Sequence, residues 1–444
     1  MTLRSQENTA TKLLKISKVA TGDTSYRFTS LASLINEESL ERSFHELNKH
    51  RATGIDGISL EEYGSALKEN IHNLYERMKK FSYRPQPVRR VGIPKANGKT
   101  RMLGIPTVED KIVQRAIAQI LEAIYEPAFL DMSYGFRPNR SCHDALEKLN
   151  KAIATQPTNY IIDADIKGFF DNVKHEWIIK FLEHRIADRN FIRLIVRFLK
   201  SGIMEEGKYY ATEIGTPQGG IISPILSNIY LHYVLDLWVE KSVKKKCKGY
   251  VEAIRYADDF VICVKYKEEA ENIVRMLRER LNKFGLELSE EKTRVILFGR
   301  YAKEKQKRPP TFDFLGITHY CETSRNGKFK VGRQTSRKKL ILKIKEMNTW
   351  LKKVRNLIPI KDIWTTLKQK LRGHYQYFGI SGNFRKIANY YYHVNRLVFK
   401  WLNRRSQRKS FTWSEFIKYK FKYPLPMPKI YHSYVKGTPN CEYD

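Results

Sequence analysis

The sequence predicts an α+β body followed by an all-α appendage. Three observations carry that prediction. Strand-like and helix-like segments alternate up to about residue 330. Beyond that point the apolar spacing is mostly helical. The charge shifts there too, since residues 331–444 hold 26 Lys and Arg against 5 Asp and Glu.

Taken in order, residues 1–30 are polar and mildly basic, and residues 1–34 are expected to form a flexible arm. Within 38–50, Leu40, Phe44 and Leu47 have the spacing of one helix face. The glycines of "TGIDGIS" break that pattern, and a second helical pattern, "YGSALKENIHNLYERMKKF", follows. Asn97-Gly98 then sits between two β-prone runs, a strong hairpin signal. Apolar residues at 112, 113, 116, 117, 120, 121 and 124 predict a helix, with Pro127 just beyond its end. "NYIIDADI" (159–166) reads as a strand and "HEWIIKFLEHRI" as an amphipathic helix. The Gly/Pro loop in "IGTPQGGIISP" is expected to end at Ser223 as an N-cap, with Pro224 in the first helical position. Val251–Tyr256 and Phe260–Lys265 have the pattern of a hairpin. A helix near 268–284, a strand around "LELSEEKTRVILF" and "FDFLGI" at 312–317 complete the body.

Composition narrows the class. A chain of 444 residues with 42% hydrophobic content can build real cores. Its net charge of +34 favours a polyanion as partner. The basic block also holds 20 of the 54 aromatic residues, a mixture suited to phosphates and unstacked bases. A helical domain with an aromatic core and solvated charged faces accounts for the same composition. Five cysteines in no close pairs argue against a disulfide framework or a Cys-rich zinc site. No apolar run approaches a membrane span or a signal core, so a cytoplasmic protein is expected.

The chemistry is signalled by acids in apolar surroundings. "RYADDF" sets Asp258 beside Asp259, and two carboxylates about 4 Å apart repel by roughly 4 kcal/mol at an effective dielectric near 20. Water, a basic neighbour or a metal ion must offset that repulsion. In "NYIIDADIKGFFDN", strand alternation puts Asp163 and Asp165 on one face. A strand-borne carboxylate beside a hairpin-borne pair is what two hard divalent cations such as Mg²⁺ need. Two such ions, roughly 3.5–4 Å apart, stabilise both the attacking and the leaving oxygen of a phosphoryl displacement. Alternation alone does not choose between Asp163 and Asp165.

The ordered set "DIKGFFD", "TPQGGIISP", "RYADDF", "GLELSEEKT" and "FLG" resembles the palm of a reverse transcriptase. The flanking "RRVGIPKANGKTRMLGIPTVEDKIVQRA", "SYGFRPNRSCHDAL" and "LRGHYQYFGISGNF" narrow the resemblance to proteins encoded by group II introns. It extends over roughly residues 35–435. It implies a right-hand polymerase, with fingers and palm around a central antiparallel sheet over 35–325. A basic helical thumb and maturase region over 326–444 would grip RNA.

Carried over residue by residue, the resemblance makes Asp165, Asp258 and Asp259 the catalytic metal ligands, with Asp259 the more loosely engaged. Two Mg²⁺ ions are implied, with Mn²⁺ able to substitute. Phe170 would exclude the ribose 2′-OH, while Phe169 is a core residue. Gln218 and Gly219 would lie against the nascent base pair. Lys95 and Arg101 would hold the triphosphate, and Lys292 would neutralise the leaving pyrophosphate. Arg404, Arg405, Arg408 and Lys409, within "WLNRRSQRKSFTW", are the expected RNA contacts. The implied function is RNA-directed DNA synthesis together with binding of the parent intron RNA for splicing and mobility. The implied partners are that RNA, an RNA template with a DNA primer, dNTPs and target DNA, with no membrane. The chain shows no cysteine pairs of the kind found in the family's DNA endonuclease module, so a form without that domain is expected. An RNA-binding splicing factor with a vestigial polymerase site, or a domesticated defence or repair enzyme, are the alternatives. Cys142-His143 has no orienting third group, and it is read, like His175, His319 and His374, as structural.

Overall fold

A computed structural model describes residues 8–48, 52–94, 100–205, 208–211, 214–215, 219–405 and 411–434. Its strands are β1 (Val88–Pro94), β2 (Thr100–Ile105), β3 (Tyr160–Asp165), β4 (Ile203–Glu205), β5 (Lys208–Tyr210), β6 (Val251–Tyr256), β7 (Asp259–Val264), β8 (Arg294–Leu297), β9 (Phe312–Phe314), β10 (Ile317–Thr323) and β11 (Phe329–Thr335). They form three sheets, ordered β2-β1-β4-β5, β6-β7-β3-β8 and β11-β10-β9. The first pairs β1 with β2 antiparallel, Ile93 opposite Arg101, and β1 with β4 in parallel. The third is antiparallel throughout. Four helices follow: Arg337–Val354, Ile360–Phe378, Phe384–Leu402 and Trp413–Lys422. The class is therefore α+β with an all-helical C-terminal region.

By contact density the chain divides into two compact units. One comprises residues 1–145, 164–262 and 268–294, and the other 146–163, 263–267 and 295–444. In the first unit, the predicted helix appears as Val108–Tyr125, buried almost all round. Its buried polar residues Asp110, Lys111 and Gln114 are each hydrogen-bonded, which permits that burial. In the second, His319 stacks on Phe312 with ring centres 4.8 Å apart, and His374 stacks on Tyr390 at 3.7 Å. Burial pushes both histidines down to about 3, so both are neutral core residues.

Three features differ from the sequence expectation. Residues Thr9–Gly22 are helical where the composition predicts an arm. Asn8 caps the helix, Thr9 donates from its backbone N–H and hydroxyl to Glu38, and Arg185 donates to the carbonyls of Ala20 and Asp23. Those partners are distant in sequence, at Glu38 and Arg185. The strand pattern also runs on to Thr335, because β10 and β11 form a hairpin before the helices begin. Finally, Ser223 is the first residue of helix Ser223–Leu231 rather than its cap, which is Ile222 and has no side-chain cap bond. The entering amides are satisfied from elsewhere: Gln114 Oε1 accepts from Ile221 N at 2.7 Å and from Ile222 N at 3.4 Å.

Helix Val108–Tyr125 begins on a buried carboxyl. Asp110 donates its amide to the capping Thr107 hydroxyl, and its carboxyl oxygens accept from Tyr83 Oη and Gln86 N. Burial raises Asp110 to about 6, against hydrogen bonds from Tyr83, Thr107 and Gln86 that lower it. An unfolded Asp titrates near 3.9. Between about pH 4 and 6 the folded chain therefore holds the extra proton, and stability falls as pH rises through that window. Two units correspond to about 3 kcal/mol. Urea titrations from pH 4 to 6.5 are expected to show this decline in the native chain and its loss in Asp110→Asn.

Candidate active site

The site is built on the hairpin of β6 and β7, whose turn is Ala257 and Asp258. Two-residue hairpin turns of the favoured hand need a left-handed first residue. Ala257 supplies it at φ +58°. Asp258 thus lies in the turn, half-buried, while Asp259 opens β7 and is exposed. One adjacent pair of acids is divided between two environments.

Arg255 fixes that turn from below. Its side chain is fully buried and spends its donors on four residues. It pairs with the equally buried Asp236 through Nε and Nη2, and Nη2 also donates to Ser133 Oγ at 2.7 Å. Nη1 donates to Asn228 Oδ1 at 3.1 Å and to the Ala257 carbonyl at 3.0 Å. Asp236 ends a π-helical turn, His232–Asp236, an irregularity that concentrates at functional sites. Asn228 in turn donates to the Gly135 carbonyl, and a Cβ on Gly135 would stand 2.3 Å from the Ala257 amide. Backbone at Ser133–Gly135 therefore abuts the hairpin directly, with Tyr134 N donating to the Arg255 carbonyl at 2.8 Å.

Asp165 comes from the end of β3. The Ser289 amide donates to its carbonyl at 2.8 Å, and the turn from Ser289 to Thr293 brings Lys292 back to the Asp165 carboxylate at 2.8 Å. Asp258 is raised above the ordinary carboxylate range, chiefly by burial and further by Asp165, while Arg101 on β2 pulls it down. Asp165, Asp258, Arg101 and Lys292 thus share one electrostatic neighbourhood. Among the described residues, no three of His, Cys, Asp or Glu come together as a ready metal-ligand set. The donors present still fit a hard cation. Two carboxylates, one of them desolvated and further disfavoured in its charged form by the other, are hard oxygen ligands that an ion between them would stabilise. Asp163 shares the half-buried face of β3, but Asp165 is the acid felt by Asp258.

Phe169 is buried against Phe170 and Tyr230, and Phe170 is half-exposed in the short helix Phe169–Asn172. Gly219 has φ +115°, and a Cβ on it would lie 2.6 Å from the Gly104 carbonyl, so only glycine lets the loop pass β2 there. Lys95, Gln218, Arg408 and Lys409 lie outside the described residues, as does the Asn97-Gly98 turn.

Comparison with known proteins bears directly on this arrangement. The family model described as reverse transcriptase (RNA-dependent DNA polymerase) matches residues 93–319, a stretch that contains all three aspartates. The group II intron-encoded protein LtrA of Lactococcus lactis subsp. cremoris is 32% identical, over 79% of this chain and 70% of its own. Protein YkfC of Escherichia coli K12 is 31% identical, over 71% of this chain and 90% of its own. An uncharacterized 91 kDa protein in the cob intron of Schizosaccharomyces pombe is 37% identical over 47% of this chain and 25% of its own. This chain belongs to the reverse transcriptases encoded by group II introns.

It is accordingly an RNA-directed DNA polymerase. Elsewhere in this reverse transcriptase, Arg404 is exposed just past helix Phe384–Leu402, its guanidinium 5.6 Å from the Trp401 ring. Arg405 donates to the Ile358 carbonyl at 3.3 Å. Cys142 opens helix Cys142–Thr155, entered through reciprocal hydrogen bonds between Ser141 and Asp144, in keeping with a structural role. His175 meets the Gly215 carbonyl at 2.6 Å and supports the loop before Gly219. Among the described residues, no helix is long and apolar enough to cross a membrane.

Arg255 is absent from the residues predicted by sequence. Its one legible signal is an arginine inside an apolar strand, directly before "YADD". Removing one partner of a buried ion pair costs about 3–5 kcal/mol. Arg255→Ala is expected to lose stability on that scale in chemical denaturation, and Arg255→Lys, which cannot reach all four partners, to lose an intermediate amount.

Proposed function

We propose that Asp165 and Asp258 hold the divalent ions of RNA-templated DNA synthesis, in which a primer 3′-OH attacks the α-phosphate of a dNTP. The observation that carries this is the convergence of Asp165 on the desolvated Asp258, with Arg101 and Lys292 as the nearby cations. Two Mg²⁺ ions, with Mn²⁺ able to substitute, would supply activation of the 3′-OH and charge neutralisation on the phosphates. Asp258 binds from the rigid hairpin turn, and Asp259 engages more loosely from the exposed start of β7. Arg101, with Lys95, takes the triphosphate by charge-assisted contacts. Lys292 leaves Asp165 for the departing pyrophosphate. Phe170 offers a half-exposed ring that leaves no room for a 2′-OH, and Gln218 with Gly219 lines the nascent pair. The division into fingers and palm (35–325) and thumb with maturase region (326–444) belongs to the same reading.

The parent intron RNA is the proposed partner of the basic block, for splicing and for mobility into target DNA. Support comes from a cavity of about 1030 Å³ lined by Arg396, Lys400, Arg404, Phe399, Phe411 and Trp413. Guanidinium and ammonium groups over aromatic walls suit phosphates with exposed bases. Arg405, Arg408 and Lys409 are proposed as further RNA contacts.

Primer extension on an RNA template with dNTPs and Mg²⁺ tests the polymerase site. The native chain should extend, Asp165→Ala and Asp258→Ala should reduce extension by several orders of magnitude, and Lys292→Ala should leave a slower enzyme. Extension undiminished in Asp258→Ala would remove the assignment. For the RNA face, Lys400→Glu combined with Arg404→Glu should weaken intron-RNA binding about tenfold or more. It should also flatten the dependence of affinity on salt concentration.

A further inference from the structure

A cavity of about 260 Å³ lies beside the turn that ends helix Leu67–Lys79, and none of the residues assigned to the polymerase chemistry lines it. Tyr75, Met78 and Phe81 form its apolar side, and Asn190, Arg193 and Arg197 its polar side. Phe81 is the informative residue. It stands at φ +55° with 49% of its surface exposed. Glycine or asparagine is favoured at such a helix end, because a Cβ crowds the carbonyl oxygen in the left-handed region. A bulky aromatic there is strained, and half in water it regains little by burial. Strain that stability does not explain gathers where a side chain serves a ligand.

The polar side is an unmatched positive field. The Arg193 guanidinium lies 4.5 Å from the Phe81 ring centre. Arg197 donates to the Tyr83 carbonyl at 2.9 Å and to the Phe81 carbonyl at 3.3 Å. Arg84 donates to the same two carbonyls, at 3.1 and 2.8 Å. None of Arg84, Arg193 and Arg197 meets a carboxylate among the described residues. Burial, then Arg84 and Arg193, hold Arg197 below its ordinary value, as expected of cations crowded without an anion.

We propose that this cavity takes one unstacked base of a single-stranded RNA, the ring against Phe81 and the adjoining phosphate on Arg193 and Arg197. An aromatic face accepts any base, and a guanidinium matches both phosphate oxygens and a planar ring. The exposed Asn190 carboxamide offers a donor and an acceptor to the base edge. That the nucleotide comes from RNA rests on the RNA-templated reading above. The cavity and its charge do not.

The test is photocrosslinking of the full chain with an RNA octamer of uridines carrying one 4-thiouridine, the adduct being located by mass spectrometry. An adduct at Tyr75, Met78 or Phe81 is expected. Phe81→Asn, which suits the left-handed backbone, should cut its yield about fivefold or more without lowering Tm, and Arg193→Glu should cut it similarly. Adducts only at other residues overturn the proposal. So does a Phe81→Asn chain that loses Tm while keeping the adduct. An equal yield with 4-thiouridine 5′-monophosphate overturns the strand assignment in favour of a free-nucleotide site. Primer extension in the same preparation keeps the two readings apart. An adduct without extension sinks the polymerase site alone, and extension without the adduct sinks this cavity alone.

Discussion

Arg255 and Asp236 face each other in full burial, where either charge without the other would cost several kcal/mol. The pair therefore has to form, and forming it dictates much around it. The remaining guanidinium donors reach Ser133, Asn228 and the Ala257 carbonyl, so a single side chain ties two helical segments and a loop to one hairpin tip. The strain of Ala257 in the left-handed region is held by that bond from inside and by the Gly135 backbone from outside. Asp258, the next residue, inherits a fixed position without making the anchoring contact itself. On the reading proposed above, a metal-binding carboxylate so placed needs no rearrangement to meet an ion.

Electrostatics within the site balance opposed tendencies. Burial and Asp165 favour the neutral form of Asp258, while Arg101 favours the charged form. Arg101 thus offsets part of the shift that burial and Asp165 impose on Asp258. The same division explains why "DD" is not a symmetric pair. Asp258 lies in the turn and Asp259 opens β7, which leaves Asp258 half-buried and Asp259 exposed.

Much of this was legible in the sequence because it depends on short-range pattern. The hairpin follows from apolar residues on both sides of two acids, and the helix Val108–Tyr125 from seven spaced apolar positions. The alternation of β3 narrowed its acids to Asp163 and Asp165 but could not separate them, since both share a face; the proposal of Asp165 rests on its being the acid that raises Asp258. What stayed hidden depends on distant partners. Arg255 finds Asp236, Asn228 and Ser133 at 19, 27 and 122 positions away. Ser223 has the chemistry of a cap, but Gln114, 107 positions away, takes the amides in front of the helix. The helix Thr9–Gly22 has only a short stripe, Leu13, Ile16 and Ala20, in a polar and basic segment and is anchored through Glu38 and Arg185, so composition alone reads it as an arm.

The ion pair of Lys292 with Asp165 has a consequence for how cations enter and leave. The chain supplies its own counter-ion to one of the two acids, through a turn hung from that acid's carbonyl. On the proposed reading, arrival of a divalent ion at Asp165 is then an exchange of partners. Its driving force is the difference between two attractions, each softened by water at an exposed pair. Exchange of this kind favours reversibility over tight retention. It also frees the ammonium, once displaced from Asp165, to follow a different negative charge, which couples the occupancy of one group to the location of another.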